Sequence, residues 1–355
     1  METIRKRFNK ALAGRPVETP VYAVYDWFVN NRPVVDWEYL FSLGLGRINH
    51  ANLVRHAHPN FELKETKSEQ DGKTRRDVRL VTDRGELHEW HLGEWRQEYF
   101  IKTPEDYRIM KHALEGVRVF ADVKPFLASE ASLGENGITI GQVQGLGSGR
   151  TPLMVLQIDW AGLEQFSVDL AYGTPELFEL IEVMNEIKLE EIRQAARTPA
   201  TQIKLWENLS IDTLGHAHYR RHQVPLYKQI LEIMGAAGKK LQVHYDGRLK
   251  VIAPDIADLA FDGLDSFTEP PEGDLSTFEA RRAWPDKFLW QNINLNWYSL
   301  PEKELAAHLK RVIRDAGKSR HCLMISEDIP PNWQKNVPNV LKILKEINGV
   351  LLKHE

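Results

Sequence analysis

The chain has 355 residues, of which 42% are apolar and 27% charged, with a formal net charge of -4. That composition suits an ordinary folded protein and supplies no electrostatic reason to expect nucleic acid or an anionic membrane surface as partner. The one cysteine, Cys322, excludes an intrachain disulfide and a multi-thiolate zinc centre, and suits a reducing cytoplasm. No stretch approaches the 18 or so apolar residues of a spanning helix, and residues 1–13 have no apolar core of signal-peptide length, so a cytoplasmic protein is expected.

Residues 2–13 read as a short amphipathic helix stopped by Gly14, and Val21–Tyr25 as a first buried strand ending at Asp26 and Trp27. Residues 60–101 alternate polar and apolar positions between the turns Asp71-Gly72 and Arg84-Gly85, which predicts a β-meander forming a flap. Thr103-Pro104-Glu105-Asp106 then opens a helix, with threonine as cap and acids beside the positive end. From residue 136 strands and helices alternate. Strands are predicted at 138–143, 153–158, 202–206, 241–245, 264–268, 287–293 and 322–325. Helices are predicted at 175–197, 224–237, 249–260, 276–283, 302–316 and 333–347. With residues 21–25 the strands number eight. That count implies an α/β protein closed as a (β/α)8 TIM barrel, with an N-terminal helix and a β-meander insertion, in one domain over 1–355.

In such a barrel the C-terminal strand ends form the working mouth. The residues just past the predicted strands include Asp26 and Trp27, Gln144, Trp206-Glu207-Asn208, His244 and Asp246, Glu269, Asn292 and Asn294, and Glu327-Asp328. His244 and Asp246 stand two apart, so in an extended chain they leave on one face. Such a pair can bind a metal, act as a base and its orienter, or simply close a turn. No hydroxyl or thiol nucleophile pairs with a base here, which argues against covalent hydrolysis. Gly145–Arg150 opens no clear helix and reads as a loop over the mouth rather than a phosphate cradle. His216, His218 and His222, flanked by arginines, read as a solvated rim, and Cys322 as a core residue.

The order and spacing of several segments resemble the uroporphyrinogen decarboxylase superfamily over nearly the whole chain. They are Gly14-Arg15-Pro16-Val17-Glu18-Thr19-Pro20-Val21, Lys102-Thr103-Pro104-Glu105-Asp106, Trp206-Glu207-Asn208, His244-Tyr245-Asp246-Gly247, Glu269-Pro270-Pro271 with Gly273-Asp274, and Ser326-Glu327-Asp328-Ile329-Pro330-Pro331. Within the superfamily the chain is more similar to the corrinoid-dependent methyltransferases. The decarboxylases carry an arginine-rich segment after the first strand that grips substrate carboxylates. Here that region, Tyr25-Asp26-Trp27-Phe28-Val29-Asn30-Asn31-Arg32, is acidic and aromatic. A decarboxylase-like lyase acting on a carboxylated substrate is therefore the alternative reading.

The methyltransferase resemblance implies zinc bound at His244, with Asp246 where the family has a first cysteine and Glu327 near the second, and with Glu207 adjacent. An imidazole with carboxylates leaves zinc a stronger Lewis acid than thiolates do, which suits an ether oxygen. The implied activity is the first half-reaction of an O-demethylase system. It moves a methyl group from a methoxylated, aromatic small molecule to the cobalamin of a separate corrinoid protein, since this chain has no Asp-x-His-x-x-Gly segment of its own. His244, Asp246 and Glu207 would be catalytic. Asp26, Trp27, Tyr22, Trp206, Tyr245, Asn292 and Asn294 are candidates for substrate binding, with Trp297 as a further aromatic. Each aromatic is equally readable as core, and each asparagine as a partner for strand-end backbone.

Overall fold

A computed structural model describes residues 2–26, 35–145, 147–325 and 332–351. Trp27, Glu327 and Asp328 lie outside them. The strands in chain order are β1 (Val21–Tyr25), β2 (Gly46–Asn52), β3 (Val54–Ala57), β4 (Glu62–Gln70), β5 (Lys73–Thr82), β6 (Gly85–Leu92), β7 (Trp95–Glu98), β8 (Arg118–Ala121), β9 (Gly137–Gln142), β10 (Gln202–Leu209), β11 (Lys240–Tyr245), β12 (Gly263–Phe267), β13 (Phe288–Asn292) and β14 (His321–Met324). Eight of them close a parallel barrel in the order β1-β14-β13-β12-β11-β10-β9-β2. The expected (β/α)8 barrel is observed. β4 to β7 form the antiparallel meander expected at 60–101, and β3 pairs with β8 as a separate two-stranded ribbon.

One of the eight predicted strands was misplaced. Residues 153–158 are helical, as a turn over Pro152–Val155 running into a π-helix over Leu156–Trp160. Pro152 occupies the first helical position, where its missing N–H costs nothing, and the apolar run that mimics a buried strand is simply a buried helix. The missing stave is β2. Its polar residues Arg47, Asn49 and Asn52 disguise a strand whose Ile48 and Ala51 are buried. Thr103 caps the helix Pro104–Leu114 through a capping box with Asp106, as its sequence predicts. Among the described residues no helix is long and apolar enough to cross a membrane.

Strand alternation divides the barrel residues into two sets. Val21, Ala23 and Tyr25 of β1, Ile48, Ile140, Phe288, Trp290, Cys322 and Met324 form the interior cluster, joined by Ile4 and Phe8 of the N-terminal helix Ile4–Leu12. Phe8 stacks on Trp290 with ring centroids 6.2 Å apart, so the helix plugs the N-terminal end of the barrel. The intervening residues face outward against the helical layer. Examples are Tyr22 and Val24, Ile203 and Leu205, and Leu241, Val243 and Tyr245.

Close approach between β2 and β9 requires a glycine at 137, because a Cβ there would sit 1.8 Å from the Arg47 carbonyl oxygen. Gly137→Ala is expected to cost about 3 kcal/mol through forced strand separation and to lower the melting temperature accordingly. Gly235→Ala, inside the helix Val224–Ala236 with open space around it, is expected to be stabilising by about 0.5–1 kcal/mol, measured in the same thermal scans.

Candidate active site at the barrel mouth

Three interior positions toward the C-terminal ends of β10, β11 and β12 are Lys204, His244 and Asp265. All three are buried, at 0 to 1% exposure. One carboxylate collects the others. Asp265 Oδ2 accepts from Lys204 Nζ at 3.0 Å and from His244 Nδ1 at 2.6 Å, while Oδ1 accepts from the Tyr25 hydroxyl. Burial by itself would raise the Asp265 pKa. Lys204, His244 and Tyr25 outweigh it and hold the carboxyl well below the usual range, so it stays ionised. Lys204 also lies 3.6 Å from the centre of the Trp206 indole and 4.4 Å from the Tyr25 ring, two further attractions that offset its desolvation.

The Nδ1 contact with Asp265 fixes the orientation of the His244 ring and turns Nε2 toward Asp246. Nε2 lies 3.2 Å from Asp246 Oδ1, and Asp246 is about one-third exposed at the mouth. Ser266 donates to the same Asp246 oxygen at 3.1 Å, and Asn292 donates to Ser266 at 3.2 Å. Ser266 has φ +67°, a left-handed conformation that a serine rarely adopts, at the place where β12 bends away from β13. A second dyad also stands beside Trp206. His50 Nδ1 lies 3.0 Å from Asp26 Oδ1, and the His50 backbone N–H donates to Asp26 Oδ2 at 2.7 Å. The Trp206 ring lies 5.2 Å from His244 and 4.8 Å from His50, and its indole N–H donates to Gln142 at 2.6 Å.

Of the residues singled out from the sequence, the structure brings together His244, Asp246, Trp206, Asp26 and Asn292. Others it sends elsewhere, and alternation is the reason. Glu207 follows Trp206 and so faces outward, where it accepts from the Thr151 backbone N–H at 3.2 Å and the Thr151 hydroxyl at 2.8 Å. It is not beside His244. Tyr22 points out of the barrel and donates to the Leu43 carbonyl, and the inward tyrosine is Tyr25. Tyr245 packs outward against Tyr219, Tyr227 and Phe261, and Trp297 stacks on His308. Asn294 donates to the Glu269 carbonyl, and Glu269 itself is gripped by Arg311 at 2.9 and 2.5 Å. The rim histidine His216 pairs with Asp255 at 2.7 Å.

Sequence reading missed Lys204, Asp265, Tyr25 and His50. Lys204 and Asp265 carried a usable signal, since a lone charge in the middle of an apolar strand needs a buried partner. His50 had none, because its strand was not recognised.

As to zinc, donors on one tetrahedral ion with bonds of about 2.0–2.1 Å stand roughly 3.3 Å apart, so His244 Nε2 and Asp246 Oδ1 fit as two ligands. The Asp265–His244 bond is the outer-shell support that a metal-bound imidazole uses. Glu207 does not fit. Among the described residues no group of three His, Cys, Asp or Glu completes a shell.

Two measurements follow from these geometries. Lys204→Met leaves the Asp265 charge buried without its cation and is expected to cost about 3–5 kcal/mol in denaturant unfolding, with Lys204→Met/Asp265→Asn recovering part of the loss. Glu207 behaves oppositely to Asp265, since burial without a strong cationic partner raises its pKa to about 7, well above its ordinary value near 4.5. A raised carboxyl holds its proton better folded than unfolded. Its contribution is therefore complete below pH about 4.5 and is lost as pH rises through about 7, by at most about 1.4 kcal/mol per pH unit. Glu207→Gln is expected to raise the melting temperature more at pH 8 than at pH 5; equal shifts at both would contradict the buried neutral acid.

No family model matches the chain, and no curated protein matches it. Among solved structures the chain is similar to one described as the tandem GH20 catalytic modules of the pneumococcal exo-beta-D-N-acetylglucosaminidase. The similarity is at 8% identity and a TM-score of 0.38, over 96% of this chain and 85% of that one.

Proposed function

We propose that the chain is an enzyme working at the barrel mouth. It moves a methyl group from a methoxylated, aromatic small molecule to the cobalamin of a separate corrinoid protein, with zinc held by His244 and Asp246. The observation that carries this reading is the His244 Nδ1 to Asp265 bond, which directs Nε2 beside Asp246 Oδ1. The reaction type comes from the sequence resemblance. Zinc, when bound, would polarise the ether oxygen and make its methyl carbon the better electrophile.

The chain's own residues have separable tasks in this reading. Asp265 fixes the imidazole orientation. Lys204 keeps Asp265 ionised in a buried setting. Trp206 offers an aromatic wall beside His244 and His50. Ser266 and Asn292 hold Asp246 in place. The alternative, a lyase for a carboxylated substrate, would need a cation for each carboxylate. Lys204, the cation at the centre of this site, is already committed to Asp265.

Protein purified without added zinc is expected to carry it stoichiometrically. His244→Ala should abolish it, and Asp265→Asn should weaken it about 10–100-fold. A methyl-transfer assay with cob(I)alamin and a panel of methoxylated aromatic donors should show transfer that falls with the zinc content. Metal-free protein, or a His244→Ala variant that keeps full transfer, would sink the proposal.

A further inference from the structure

His50 is the one imidazole of the mouth to which the proposed reaction assigns no task. It lies on β2, in register with Ile140 of β9, and faces the barrel interior as Ile48 does. Its side chain is 5% exposed. Nδ1 is bound to Asp26, and the ring packs against Tyr25 and Trp206, with centroids 5.3 and 4.8 Å away. Nε2 is buried and has no hydrogen-bond partner. With the Nδ1 proton directed at the carboxylate, that nitrogen presents a bare lone pair, an acceptor only. Burial, aided by the nearby Lys204 ammonium, lowers the His50 pKa and outweighs Asp26, so the ring is neutral at pH 7.

A buried acceptor without a donor is costly, and proteins keep one where something else supplies the donor. Cation binding is the less suitable occupant, since the nearby Lys204 ammonium repels a cation. We propose that His50 Nε2 is a ligand-binding group that accepts a hydrogen bond from an O–H or N–H of the molecule in the mouth, beside Trp206. The substrate then carries a neutral donor besides the group that meets His244. An analogue with that donor capped by methyl is discriminated against, because it leaves Nε2 unpaired and adds bulk. The inference rests on the mouth as the ligand site and not on methyl transfer.

The test is isothermal titration of the full chain with phenol and with anisole, in which a methyl group replaces the hydroxyl hydrogen. Cob(I)alamin is omitted, so failure of methyl transfer leaves the result unaffected. Phenol is expected to bind about tenfold more tightly, the worth of one hydrogen bond of about 1.4 kcal/mol. His50→Leu should bring the ratio near unity, its fold being checked by circular dichroism. Should that variant not fold, nitrogen NMR of the wild type decides, with the His50 Nε2 resonance moving on addition of phenol and not of anisole. Equal affinities, a preference surviving in His50→Leu, no binding of either probe, or an Nε2 resonance that phenol leaves in place would each overturn the proposal.

Discussion

The mouth is organised by a single buried anion. Asp265 sits inside the barrel with an ammonium, an imidazole and a phenol directed at it, and each loses its purpose without the carboxylate. An ionised carboxyl in that position would be prohibitively costly unpaired. Lys204 makes the charge tolerable, and the charge in turn sets the orientation of His244. The chemistry assigned to Nε2 thus depends on a lysine that never reaches the surface.

Two buried carboxyls illustrate how environment, rather than residue type, decides protonation. Asp265 has a cation within hydrogen-bonding distance and stays ionised. Glu207 is as deeply buried but has the amide and hydroxyl of Thr151 as its close partners, and burial wins. The first is suited to orienting an imidazole. The second belongs to the layer between the barrel and its helices, where a neutral acid is the less costly form.

The two histidine–carboxylate dyads beside Trp206 give the mouth a composite character. His244 pairs with a deep aspartate and stands beside the partly exposed Asp246. His50 pairs with Asp26 at the end of the first strand and presents an acceptor alone. The plug at the opposite end, Phe8 on Trp290, leaves the C-terminal end of the barrel for this constellation.

The sequence by itself determined the fold class, the meander over 60–101, the capped helix after Thr103 and the candidacy of His244 with Asp246. Those features depend on local periodicity, capping chemistry and two-residue spacing, all of which a linear chain displays. Which stave was which escaped it, because the apolar run from Pro152 to Trp160 reads as a buried strand while the polar residues of Gly46 to Asn52 hide one. Tertiary structure alone decided which side of each stave a residue faces, admitting Trp206 and Tyr25 while excluding Glu207, Tyr22 and Tyr245. It alone joined Lys204, His244 and Asp265 from three strands. A one-residue difference in phase moves a side chain from the mouth to the helical layer, and phase is set by barrel closure, a long-range constraint that no segment carries by itself.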